Sequence, residues 1–153
     1  MTESTEVKIG SPTVVRAYLA LPNQVLGAGW NVVRLDTIQP GHDRLNEFDV
    51  ATYRFTPKRA GYYFFHAQVE AIAVVGLGWG FDVEITLNGL FGRAHASENF
   101  RGIGAFDYLN LSALFYVTPN DFVNLIVVGF LAPNIVTVIS GYNATFFEAF
   151  RVR

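Results

Sequence analysis

The chain has 153 residues, no cysteine, a formal net charge of −2 and only 16% charged residues. That length carries one sizeable core; the absence of cysteine excludes disulfide frameworks, thiolate metal sites and thiol nucleophiles, and the near-neutral balance lacks the footprint of a nucleic-acid or anionic-membrane binder. Globular chains average about 25% charged residues, so more surface than usual must be hidden from water, and association with further copies hides it most simply.

In chain order, residues 1–10 are polar with only Val7 and Ile9 to anchor them, and read as a flexible arm ahead of a single domain over 11–153. The start lacks the basic segment and apolar run of a secretory leader. Ten strands are then predicted: Thr13 to Ala20, Asn31 to Asp36, Tyr53 to Thr56, Gly61 to Ile72, Phe81 to Asn88, Arg93 to Ser97, Tyr108 to Val117, Phe122 to Phe130, Ile135 to Ile139 and Tyr142 to Val152. Turn residues bound them, among them Leu21-Pro22-Asn23, Gln39-Pro40-Gly41, Asn88-Gly89, Thr118-Pro119-Asn120-Asp121 and Ser140-Gly141; these supply the fixed or positive φ that a reversal needs. No window holds a helical period, so the expectation is all-β: an antiparallel ten-strand jelly-roll sandwich.

The uncharged run from Phe122 to Ile139 is long enough to resemble a membrane span. Its β-branched residues and its Ala132-Pro133-Asn134 turn suit two buried strands better than one helix.

The strand from Gly61 splits by face. Tyr63, Phe65, Ala67, Val69 and Ala71 form an apolar set, while Tyr62, Phe64, His66, Gln68 and Glu70 begin aromatic and end polar. The strand from Tyr108 repeats the pattern, with Leu109, Leu111, Ala113, Phe115 and Val117 on one side and Asn110, Ser112, Leu114 and Tyr116 on the other. Left in water, Tyr62, Phe64, Leu114 and Tyr116 would make an apolar patch uncommon on a monomer, so the second faces are read as a subunit interface.

Phe48-Asp49, Phe55-Thr56-Pro57 and Gly61-Tyr62-Tyr63-Phe64 follow one another in order, and later come Asn88-Gly89, Leu109 to Val117, Asn120-Asp121-Phe122-Val123 and Thr145-Phe146. In these places the chain resembles the globular head of complement component one, subcomponent q, and the wider tumour-necrosis-factor-like jelly-roll superfamily, over Val14 to Val152. It departs from that pattern at Tyr53 and Asn120, where glycine is usual, and at Glu148, which replaces a glycine of the closing strand. No Gly-X-Y collagen stalk precedes the domain in this chain. The resemblance implies a compact homotrimer with a binding role at an extracellular or particle surface.

Catalytic chemistry finds little support. His42, His66 and His95 show no HxH, HExxH or HxxxH spacing, which also leaves a cupin enzyme without its histidine cluster. Gly76, Gly78 and Gly80 lack the Lys-Ser/Thr of a phosphate loop, and no serine sits in a G-x-S-x-G setting. An enzyme would have to work through Asp36, His42, Asp43 and Glu47, which read as a solvated loop. No catalytic residue, metal site or cofactor is expected.

His66, Gln68 and Glu70 are weighed separately, because threefold symmetry would bring three copies of each towards one axis. They would then hold an axial ion, or make a pH-sensitive contact through His66, or simply hydrogen-bond between subunits; the last is preferred, since buried polar groups must be paired in any case. The expected function is a non-enzymatic homotrimeric recognition head that contacts an unknown protein or glycan through its loops, with Trp79, Arg101 and Phe106 as candidate contact residues. The alternative is a structural trimeric surface subunit of a microbial or phage particle, such as a tail-fibre tip, capsid decoration or spore coat.

Overall fold

A computed structural model of the chain describes residues 13–73, 80–90, 92–99, 104–129 and 136–152. The expected N-terminal arm lies outside the described residues. Among the described residues there are strands and turns and no helix: β1 Val14–Tyr18, β2 Gln24–Leu26, β3 Gly29–Val32, β4 Thr37–Ile38, β5 Phe48–Asp49, β6 Arg54–Phe55, β7 Gly61–Ala73, β8 Gly80–Leu87, β9 Ala94–Asn99, β10 Phe106–Val117, β11 Val123–Gly129, β12 Val136–Val138 and β13 Phe146–Arg151. They form two antiparallel sheets. The first runs β2-β12-β7-β13-β1-β4 with β10 also on β7, and the second runs β5-β6-β11-β8-β9 with β3 also on β11.

The core lies between the sheets and is built by alternation. On β7 the residues Tyr63, Phe65, Ala67, Val69 and Ala71 are all fully buried, and Leu109, Leu111 and Val117 of β10 point the same way. Val83 and Ile85 of β8 and Val123, Leu125 and Val127 of β11 meet them from the other sheet. An aromatic cluster fills the centre: Phe65 stacks on Phe115 at 4.6 Å, and Phe55 meets Tyr63 and Phe65 edge-on at 5.5 and 5.7 Å. Such pairs add about 0.5–1.5 kcal/mol each beyond the area they bury. The buried Tyr63 hydroxyl donates to the Arg59 carbonyl, and burial pushes its phenol above the usual range.

The turn between β8 and β9 forms as its sequence predicts. Asn88 and Gly89 take φ of 57° and 70°, the pair of positive values that a type I′ reversal needs.

Several boundaries differ from the sequence reading. β2, β4 and β5 are two or three residues long, too short to leave a period. The strand expected from Asn31 to Asp36 is instead Gly29–Val32. The closing strand begins at Phe146 rather than Tyr142, because the Ala144 and Thr145 N–H groups both turn back onto the Gly141 carbonyl. The uncharged run divides between sheets, with β11 in the second and β12 in the first; the turn expected at Ala132-Pro133-Asn134 lies outside the described residues. No helix among them is long and apolar enough to cross a membrane.

Candidate functional site

Residues Tyr63 to Gln68 of β7 pair with β10 and with β13 at once, so these two strands lie on opposite edges of β7. That arrangement places the outward residues of β10, β7, β13 and β1 in rows across one face. Tyr116 stands opposite Tyr62; Leu114 opposite Phe64, then Phe150 and Val14; Ser112 opposite His66, then Glu148 and Arg16; Asn110 opposite Gln68, then Phe146 and Tyr18. Glu70 faces Tyr108 and Ile72 faces Phe106. All nine interface candidates, Tyr62, Phe64, His66, Gln68, Glu70, Asn110, Ser112, Leu114 and Tyr116, therefore share one contiguous surface.

The two ends of this face are apolar and its middle is polar. At one end Tyr62 (54% exposed), Leu114 (59%) and Tyr116 (52%) stand in water with Phe64 beside them, the two tyrosine rings edge-on at 5.4 Å. At the other end Phe106 and Tyr108 are exposed at 58% and 64%. A twelve-residue strand spans about 40 Å, so exposed aromatic surface flanks the polar rows at both ends of β10. β10 hydrogen-bonds only to β7 in this sheet, and its other edge has no strand partner among the described residues.

The polar rows are held internally. His66 Nδ1 lies 3.0 Å from Ser112 Oγ, and the His66 ring stands 5.6 Å from Phe146. Gln68 Nε2 donates to the Asn143 and Ala144 carbonyls at 2.7 and 3.0 Å. Arg16 forms an ion pair with Glu148, donates from Nη2 to the Tyr142 carbonyl and lies 3.9 Å above the Phe146 ring. Glu148 departs from the glycine of the family pattern, and the structure supplies the compensation: its carboxylate is answered by Arg16 across the β1–β13 pair. Tyr53, the second departure, takes φ of 58°, the left-handed region that glycine occupies without strain. Asn120 is not among the positive-φ residues.

Sequence reading missed Tyr108, Arg16, Phe146 and Glu148 as members of this face. Tyr108 shares the parity of Asn110 and could have been found by extending that alternation one step. Arg16 and Glu148 are 132 positions apart, and nothing local connects them. Phe106 was expected in a contact loop and instead opens β10 on this same face. Trp79 and Arg101 lie outside the described residues.

Elsewhere the candidate polar groups serve the backbone. Asp36 accepts from the Ala20 N–H and from Arg34, Asp43 accepts the Glu47 and Phe48 N–H groups at 2.6 and 3.0 Å, and Glu47 accepts the Lys58 N–H. His95 pairs with Asp82 at 3.2 Å on β8 and β9. Among the described residues no three His, Asp or Glu side chains are grouped to hold a metal ion.

No protein-family model matches the chain, and a search of the curated proteins finds none that matches. Solved structures do match. The Eiger TNF of S. frugiperda superposes with a TM-score of 0.66 at 9% identity, over 93% of this chain and 93% of that one. The globular domain of the zebrafish complement 1qA protein superposes with a TM-score of 0.54 at 14% identity, over 94% of this chain and 98% of that one. The fold is the jelly-roll sandwich shared by these two, as the motif order from Phe48 to Phe64 implies.

Proposed function

We propose that this chain is the subunit of a non-enzymatic homotrimeric recognition head, assembled through the outer face of β7 and β10 and binding a protein or glycan through its loops at an extracellular or particle surface. One observation carries the reading: a jelly-roll sheet exposes Tyr62, Phe64, Leu114, Tyr116, Phe106 and Tyr108 on one face, in a chain with few charges. Exposed apolar patches rimmed by polar residues mark interaction sites, and this face carries one at each end. The likeness to a TNF and to a complement globular domain supports the same reading at the level of fold.

Analytical ultracentrifugation tests it. The chain should sediment at three times its 17.0 kDa mass and resist dilution, since a permanent interface buries about 2,000–5,000 Å². Phe64→Asp puts a charge where the face should be dry, and should yield a folded monomer with unchanged far-UV circular dichroism. A monomeric wild-type chain, or a Phe64→Asp variant that assembles normally, overturns the assignment. Glycan and protein binding screens, set against association with particles, then separate recognition from a purely structural role.

A further inference from the structure

We propose that Asn88 is a self-modification site: its side-chain amide converts to a carboxylate by cyclising onto the Gly89 nitrogen, and the folded chain holds the reaction back by latching that amide onto the β10–β11 turn. The inference goes beyond the binding role above and holds for a monomer and a trimer alike.

The chemistry begins in the sequence. Asn88 is followed by glycine, whereas every other asparagine of the chain is followed by a residue with a side chain. Cyclisation brings the main-chain nitrogen of the following residue onto the side-chain carbonyl carbon, and glycine obstructs that approach least because it lacks Cβ and turns freely. The Gly89 nitrogen attacks Asn88 Cγ, gives up its proton and expels the amide nitrogen as ammonia, which leaves a cyclic imide. Water then opens the ring at either carbonyl, giving aspartate or, with the main chain rerouted through the side chain, isoaspartate. Water is the only co-reactant, and Asn88 and Gly89 are both exposed to it.

In the folded chain the amide is engaged through both of its atoms. Nδ2 donates to Asp121 Oδ1 and Oδ1 accepts the Phe122 N–H, each at 2.8 Å, while the Asn88 N–H donates to the Phe122 carbonyl at 2.8 Å. These bonds aim the side chain across at the β10–β11 turn instead of back over its own following peptide. The main chain is fixed as well: Asn88 and Gly89 hold φ of 57° and 70°, and the Leu90 N–H closes the reversal onto the Leu87 carbonyl at 3.1 Å. The Phe122 ring covers Gly89, since a Cβ there would lie 3.8 Å from Phe122 Cζ, and the Arg54 guanidinium lies 4.0 Å from the centre of the same ring. Cyclisation needs these contacts to open, and a reaction that proceeds only from a locally opened form slows with the population of that form.

The product cannot close the latch again. A carboxylate at position 88 has no proton to donate at neutral pH, and it stands where Nδ2 met Asp121, so two like charges face each other at hydrogen-bond distance. Asp121 cannot turn away without giving up the Thr118 N–H and hydroxyl, which Oδ2 accepts. Isoaspartate also lengthens the main chain inside the reversal. The conversion is therefore a one-way mark of local opening, and each converted copy opens more readily than before.

Peptide mapping by mass spectrometry, on the full chain incubated at pH 8 with and without denaturing urea, reads the conversion at each asparagine. In urea Asn88 should convert faster than any other asparagine. In the folded chain it should convert about tenfold or more slowly than in urea, because two ordinary hydrogen bonds must open first. Asn88→Asp, which writes the product directly, should lower the midpoint of urea unfolding. Combining Asn88→Asp with Asp121→Asn restores one amide donor and one carboxylate in exchanged places, and should regain most of that loss. Conversion of Asn88 that is as fast in the folded chain as in urea, or no faster in urea than at other asparagines, overturns the proposal. A double variant no more stable than Asn88→Asp alone overturns it too.

Discussion

Asp121 closes the turn between β10 and β11 with both carboxylate oxygens. Oδ1 accepts from Asn88 Nδ2 at 2.8 Å, and Oδ2 accepts the Thr118 N–H and hydroxyl, each at 2.8 Å. Those bonds favour the ionised form, and with the Asn88 contact foremost they hold the Asp121 pKa below its ordinary value. A carboxyl lowered in the folded state stabilises above its unfolded value, near pH 4, and the contribution disappears as pH falls through the lower folded value. Asp121→Ala should therefore cost about 1 kcal/mol at pH 7, discounted for solvent screening, and the gap from wild type should narrow below about pH 4 in urea titrations. The Asn88 side of this contact was legible: Asn-Gly between two apolar runs signals a hairpin, and both φ values agree. The same turn chemistry at Asp43 was not. Its φ of 58° and its acceptance of the Glu47 and Phe48 N–H groups, four and five residues along, come without the Asn-Gly pair that announces a reversal.

Among the described residues β3 is an edge element, paired with β11 on one side only. Open edges invite pairing with other chains, and Gln24 blocks this one. Its Nε2 donates to the Val32 carbonyl at 3.0 Å and its Oε1 accepts the Arg34 N–H at 2.7 Å, so one side-chain amide takes the place of a neighbouring strand. Gln24→Ala should free both groups and leave Trp30 and Val32 beside an unguarded edge. The expected outcome is faster aggregation by light scattering during thermal unfolding, with a stability loss of about 1–2 kcal/mol from the two freed backbone groups. The long elements were readable because alternation over more than ten residues is hard to imitate. β7 and β10 appear with both faces correctly divided, whereas β2, β4 and β5 owe their extended form to partners that no local pattern announces: Val136, Thr137 and Val138 of β12 hold β2, Ala17 and Tyr18 hold β4, and Phe55 and Arg54 hold β5.

The whole molecule is stitched from its ends, with β1 antiparallel to β13 and β13 to β7. Arg16 and Glu148 thereby reach the same face as His66, a placement that depends on strand order and so escaped the sequence, although the outward residues of β7 and β10 did not. If that face is the seam, assembly is linked to folding and adds to its stability, because the monomer leaves Tyr62, Leu114 and Tyr116 more than half exposed. The midpoint of thermal unfolding must then depend on protein concentration, since the folded species contains three chains and the unfolded species one. With about 0.7 kcal/mol of unfolding enthalpy per residue, the midpoint should rise on the order of 3 °C for each tenfold increase in concentration. Leu114→Asp charges the face while leaving the buried side of β10 untouched, and it should lower the midpoint and abolish its concentration dependence. A wild-type midpoint that holds constant over a hundredfold range of concentration would separate this exposed face from assembly and return it to the surface of a monomer.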